Sequence, residues 1–366
     1  MNKKLISLVV GARPNFMKIA PLVRALEKTS KNFRFRLIHT GQHNNSEMNE
    51  VFLADLGIPS PDVYLNGSGG SHAEQTAKIM IEFEKECMKI RPDFVLVVGD
   101  INSTLACAIV SKKLDINLIH VEAGLRSRDR KMPEEINRIL TDAISDLFFV
   151  TEPSAVDNLV AEGHDLEKIY YVGNVMIDNL FYQLKKLSSI DQTNFDSYKL
   201  KSSLNRYGVL TLHRPSNVDR PEDLEGIIKS VNQVSKIIPI IFPVHPRTNI
   251  TLKKCNIIFS SEVHLLPPLA YKEFLSIWKD SEFIMTDSGG LQEETTALGI
   301  PCVTLRNNTE RPSTIISGTN RLVGSPPLGL SKTVKHILSE DKAGSKIPEY
   351  WDGLAAERII EILTKI

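Results

Sequence analysis

Two Rossmann-type α/β domains, with parallel sheets facing a cleft, are the fold class this sequence predicts. Three observations carry the expectation. A chain of 366 residues exceeds what one core usually organises, so two domains are expected. Short β-branched runs alternate with longer amphipathic segments through most of the chain. The strand runs are apolar throughout rather than alternating, the pattern of parallel sheets covered on both faces.

The elements follow in order. In the first half, "LISLVV", "FRFRLIH", "FVLVVG", "NLIHVE", "LFFVT" and "IYYVG" read as strands, with helices at "FMKIAPLVRALEK", "AEQTAKIMIEFEKECMKI" and "TLACAIVSKKL". In the second half, "YGVLTLH", "PIIFPVH", "EVHLLP", "EFIMTD" and "PCVTLR" continue the strands. The boundary is expected near "YVGNVMIDNL", giving domains over 1–172 and 173–350. The closing "YWDGLAAERIIEILTKI" predicts a helix over 350–366, with Leu354, Ile359, Ile360 and Leu363 at helical spacing.

Composition excludes several classes. Lysine plus arginine and aspartate plus glutamate both number 44, so no bulk basic surface for nucleic acid is expected and any anion site is local. The four cysteines are scattered without a CxxC pair, which speaks against a disulfide framework or zinc site and for a reducing compartment. No HExxH or tight His/Asp set suggests a metal. "MNKKLISLVV" imitates a signal peptide but lacks a small-residue cleavage site, and reads as the first strand. No run approaches the roughly 20 apolar residues of a membrane span. A cytoplasmic protein is the expectation.

In open parallel sheets, ligands bind beyond the carboxyl ends of the strands. Eight such ends carry polar or ionisable residues: 11–18, 40–45, 99–104, 121–127, 211–217, 243–249, 286–290 and 305–312. In "TDSGGLQEE", Ser288 is placed to cap a helix, and Gly289 and Gly290 let backbone N–H groups approach a phosphate. Glu294, a turn further on, suits the vicinal hydroxyls of a ribose, although a helix start with nothing bound fits as well. "GSGGSH" fails the dinucleotide fingerprint because His72 replaces its last glycine, and no GxxxxGK occurs.

Other residues remain open between ligand and scaffold. Arg13 and Lys18 suit a diphosphate or are loop cations, with Pro14 stiffening the turn between them. Arg311, before Pro312, shares that ambiguity. Asp100, Glu122 and Glu134 come from strand-end loops and suit divided acid–base roles, yet Glu134 after Pro133 is equally a helix-start acid. His213 ends a strand where it would meet a leaving phosphate. Phe274 reads by spacing as core, on one face with Ile277 and Trp278, rather than as a stacking platform. The segment "VEAGLRSRDRKMPEEINR" concentrates nine charges of both signs directly after a buried-looking strand.

Taken together, "GARPNFMKIAPL", "GDINSTLA", "HVEAGLRS", "MPEEINR", "TLHRPSN", "TDSGGLQEE" and "GIPCVTLRNNTERP" resemble the non-hydrolysing UDP-N-acetylglucosamine 2-epimerases over nearly the whole chain. The resemblance implies a GT-B-like fold with a hinged cleft, a homodimer, and a last helix, 351–366, that returns to the first domain. It implies a UDP-sugar substrate and no cofactor. By motif it gives Asp100, Glu122 and Glu134 acid–base roles and sets His213 by the diphosphate. Arg13, Lys18, Ser288, Gly289 and Gly290 would serve the phosphates and nucleotide sugar, Glu294 the ribose, Arg311 the closed cleft and Phe274 the uracil. Two departures matter. "GQHNNSEM" lacks the second glutamine of members activated by a second substrate molecule, and "GARPNF" also occurs in relatives acting on diacetamido-uronates. A hydrolysing 2-epimerase, a GT-B glycosyltransferase and a nucleotide-sugar sensor are the alternatives.

Overall fold

The computed structural model describes residues 3–29, 32–42, 50–255, 257–340 and 346–366. Most of "GQHNNSEM", from 43 onward, lies outside the described residues. The chain forms two compact units, Met1–Phe181 with Glu349–Ile366, and Tyr182–Pro348. The division between them falls inside the helix Val175–Leu187, whose Asp178 binds the backbone of the C-terminal segment.

The first unit holds a parallel seven-stranded sheet. Its strands are β1 (Lys4–Val10), β2 (Phe33–His39), β3 (Val63–Tyr64), β4 (Phe94–Val98), β5 (Asn117–Val121), β6 (Leu147–Val150) and β7 (Ile169–Tyr171). They lie in the order β3-β2-β1-β4-β5-β6-β7, with Leu8 of β1 opposite Leu37 and Leu96. The second unit has six parallel strands: β8 (Gly208–Thr211), β9 (Ile240–Pro243), β10 (Val263–Leu266), β11 (Ile284–Thr286), β12 (Cys302–Thr304) and β13 (Asn320–Leu322). Their order is β10-β9-β8-β11-β12-β13. Each sheet is thus a doubly wound α/β layer, and the fold is of the GT-B-like α/β class.

Order fixes where a ligand belongs. In each sheet the winding reverses between the first strand and its later neighbour: β1 and β4 in the first unit, β8 and β11 in the second. A crevice opens beyond the carboxyl ends at such a switch point. Central strands are buried, β4 wholly and β1 in all but its first residue, which is why their sequences are continuous apolar runs.

Some expectations are corrected. The helix after β1 starts at Arg13, so Pro14 lies in its first turn and Lys18 on its second, not in a loop. The last helix spans Ala355–Lys365; Ile359, Ile360 and Leu363 are buried, but Leu354 precedes the helix and is exposed. Phe274 is only half-buried, while Leu275, Ile277 and Trp278 behind it are fully buried. No helix among the described residues is long and apolar enough to cross a membrane.

Candidate active site

In the first unit, four charged side chains meet at the switch-point loops. Glu122 follows β5 and Asp100 follows β4. Lys18 Nζ lies 2.5 Å from Glu122 Oε2. Arg138, from the helix Pro133–Ile144, reaches both acids, at 2.5 Å from Asp100 Oδ2 and 3.3 Å from Glu122 Oε1. Glu122 is 1 % exposed, and its backbone is left-handed at φ 67°, which costs a non-glycine residue about 1–2 kcal/mol. Its N–H bonds to Phe149 O at 3.0 Å, so the neighbouring strand holds that turn. Gly99 also has positive φ, and a Cβ there would stand 3.0 Å from Lys18 Nζ.

Two further charges of "VEAGLRSRDRKMPEEINR", Arg126 and Glu135, belong to a buried frame beside this cluster. Asp142 is fully buried and accepts from His120 Nδ1 and Arg126 Nη2, both at 2.7 Å, and from the Gly124 N–H at 3.1 Å. Burial pushes its carboxyl up, but His120 and Arg126 outweigh that and hold it below the ordinary carboxylate range. His120 Nε2 meets Gly99 O at 2.8 Å, tying this network to the residue before Asp100. Arg126 also forks onto Glu162. Glu135 accepts from the N–H groups of Ser127 and Arg128 and fixes the loop. Glu134, one residue earlier, is exposed. Arg13 is exposed at the helix start, with its guanidinium 5.2 Å from the Phe52 ring centroid.

The second unit builds an anion-receptive mouth at its own switch point. Asp287, after β11, is fully buried and receives the N–H groups of His213 and Arg214 and the amide of Asn217. Burial pushes Asp287 up, yet the bond and charge of His213, with the two backbone donors, bring it below its ordinary range. His213 Nδ1 lies 3.0 Å from Asp287 Oδ1 and its side chain is 37 % exposed, which leaves Nε2 for a ligand. Ser288 stands at the N-cap of the helix Gly289–Ala297 with extended backbone but makes no capping bond through its side chain. The sequence expectation of a serine cap is thereby corrected: the first-turn N–H groups are not taken up by that hydroxyl.

Arginines surround this helix start. Glu310 lies between Arg306 Nη2 at 2.9 Å and Arg214 Nη2 at 3.4 Å. Burial raises the Glu310 carboxyl, but Arg311, Arg306 and Arg214 together hold it down at about 2. A Cβ on Gly289 would meet Glu310 Oε1 at 2.9 Å, so any side chain there would push the end of Glu310 aside. Arg311 pairs with buried Glu293 at 2.8 Å. Glu294 is 5 % exposed and accepts from the Tyr271 hydroxyl at 2.5 Å.

A family model described as UDP-N-acetylglucosamine 2-epimerase matches residues 24–364. The chain belongs to the UDP-N-acetylglucosamine 2-epimerase family. Within the family, the UDP-N-acetylglucosamine 2-epimerase of Methanocaldococcus jannaschii is 43% identical, with 98% of each chain covered. The UDP-2,3-diacetamido-2,3-dideoxy-D-glucuronate 2-epimerase of Pseudomonas aeruginosa is 37% identical over 99% of each. The crystal structure of the M. jannaschii epimerase in complex with UDP-GlcNAc and UDP superposes with TM-score 0.86 at 41% identity, covering 99% of this chain and 100% of that one.

Measured against the family expectation, the structure brings Asp100, Glu122 and Lys18 together, and groups His213 with the Ser288–Gly290 helix start. Sequence reasoning missed Arg138, Asp287, Glu310 and Tyr271. Arg138 was detectable in principle, since it lies four residues after Glu134 on one helix face.

Proposed function

We propose that this protein interconverts UDP-N-acetylglucosamine and UDP-N-acetylmannosamine without net hydrolysis. The observation that carries the reading is the pair of carboxylates, Asp100 and Glu122, at the ends of adjacent strands, bridged by Arg138, with Glu122 also ion-paired to Lys18. The C2 proton of an N-acetylhexosamine is not acidic, because that carbon bears no carbonyl. Breaking the C1–O bond to the diphosphate, with the electron pair leaving on UDP, makes C1 oxocarbenium-like and C2–H acidic. A carboxylate then takes the proton as the C1=C2 double bond of a 2-acetamidoglycal forms. Returning a proton to the opposite face of C2 as UDP re-adds at C1 completes the epimerisation.

The two units supply these needs separately. Asp100, Glu122 and Glu134 are assigned to proton transfer, and Arg13 and Lys18 to the nucleotide sugar. In the second unit, His213 and the N–H groups of Ser288, Gly289 and Gly290 are assigned to the departing diphosphate, where preorganised donors stabilise developing charge. Glu294 is assigned to the ribose, half-buried Phe274 to the uracil and Arg311 to the phosphate side. No cofactor is required by this chemistry. The reading extends to a cytoplasmic enzyme, in keeping with four unbridged cysteines, and to a homodimer. Ile81 and Met88 on the helix His72–Lys89, and Ile136 and Leu140 on Pro133–Ile144, are exposed apolar residues suited to a second copy.

The test is NMR of the purified protein with UDP-N-acetylglucosamine in D2O. Anomeric signals of UDP-N-acetylmannosamine with deuterium at C2 are expected. Full protium retention at C2 excludes the mechanism, and stoichiometric free sugar assigns a hydrolysing enzyme. The 37% identical relative gives a second reading, the same reaction on a diacetamido-uronate, decided by comparing kcat/KM for the two UDP-sugars.

A further inference from the structure

We infer that Tyr271 is a positioning residue for the nucleotide's ribose: its hydroxyl occupies one oxygen of Glu294 so that the other is presented, ionised, to the vicinal hydroxyls. The inference rests on the assignment of Glu294 to the ribose and deepens it. Tyr271 opens the helix Tyr271–Trp278, and Glu294 lies inside the helix Gly289–Ala297. Their bond, phenol to Oε1 at 2.5 Å, therefore joins two helices that flank the nucleotide end of the site.

The surroundings explain why Glu294 needs this donor. Its carboxyl stands raised to about 7: burial pushes it up most, the Tyr271 bond pulls it down, and the charge of Glu293 pushes it up again. Arg311 is ion-paired with Glu293 at 2.8 Å. Asp287 at the end of β11 is engaged with His213, and Arg321 of β13 with Glu340. The Cys302 thiol on β12 is pushed up to about 11 by burial and is neutral at physiological pH. Tyr271 itself is held far above the usual phenol range by burial and by Glu294, so it remains a donor throughout the working range. An ionised carboxylate accepts only, which matches the two hydroxyl donors of a ribose; a protonated one presents a donor to a donor. Tyr271 thus keeps the acceptor form available near neutrality. Ribose binding then accompanies proton release below about pH 7, where Glu294 takes up its proton.

The experiment is calorimetric binding of UDP and 2′-deoxy-UDP to wild type, Tyr271→Phe and Glu294→Gln between pH 6 and 9. Wild type is expected to prefer UDP by about tenfold at pH 7.5, the size of one hydrogen bond to a charged group. In Tyr271→Phe the preference falls below about threefold at pH 7.5 and returns toward pH 9, because loss of the donor raises the pH at which Glu294 ionises. Glu294→Gln holds a low preference at every pH. A Tyr271→Phe preference that follows the wild-type pH profile overturns the inference. Absence of any preference in wild type instead removes Glu294 from the ribose, and the inference with it. Should Tyr271→Phe fold poorly, the wild-type profile still decides: a preference without pH dependence between 6 and 9 overturns the proposal.

Discussion

Arg138 ties together the two strand-end acids to which proton transfer is assigned, since one guanidinium touches both Asp100 and Glu122. Its fork geometry is what a lysine lacks. Arg138→Lys is expected to lower turnover by about tenfold or more while UDP affinity changes little, since Arg138 is not among the groups assigned to the nucleotide. Asp100→Asn, Glu122→Gln and Glu134→Gln are each expected to cost roughly 10²-fold or more in kcat, as lost acid–base catalysis does. Steady-state kinetics and calorimetry on the same preparations check both statements, and unchanged turnover in Glu134→Gln returns that exposed acid to a helix-start role. Asp100 and Glu122 were legible in the sequence because a charged residue directly after an apolar strand is an anomaly that the strand-end rule explains. Tyr271 was not legible in the same way: its partner Glu294 lies 23 residues away in sequence, and nothing local distinguishes it from a surface polar residue.

At the scale of elements, central strands announced themselves, whereas β3 and β13, two and three residues long and only partly apolar, carry too little pattern to be seen. The C-terminal helix was legible by its spacing, but its start was not, because the cap comes from far away. Asp178 accepts from the N–H groups of Ala355 at 3.0 Å and Ala356 at 2.7 Å, the first turn of that helix. Asp178→Ala is expected to destabilise the protein by about 1–2 kcal/mol, read as a lower midpoint in denaturant. Burial raises the Asp178 carboxyl to about 6 against the two backbone donors. A raised folded value means the native state holds the proton more tightly. Its contribution is therefore full below the ordinary aspartate range and lost as pH rises through about 6. The melting temperature of Asp178→Asn minus that of wild type is accordingly expected to increase between pH 4 and pH 6 and then level off. A difference flat across that window removes Asp178 from the pH response.

Over the whole molecule, a balanced charge coexists with dense local ion pairs, so the sequence totals told of partners and nothing of the site. The thiols give a global check on folding. Cys87, Cys107 and Cys302 are buried, and Cys255 is partly exposed. Burial pushes Cys87 up to about 12 and holds Cys107 well above the ordinary thiol range. A thiol reagent at pH 8 is expected to modify one cysteine quickly in the native protein and all four in denaturant, since the thiolate is the reacting form. The discontinuity of the first unit has a consequence for biosynthesis. Its final segment, where Trp351 Nε1 donates to Thr151 O and Ala355–Lys365 joins the helix Arg13–Lys28, leaves the ribosome after all of Tyr182–Pro348. The unit made first is thus the one finished last, and the continuous unit is complete while the earlier sheet still waits for its last helix. Domains ordinarily fold in the order of their synthesis; here the reverse order of completion is expected. A released chain truncated before Glu349 would carry a protease-resistant second unit beside a susceptible first one.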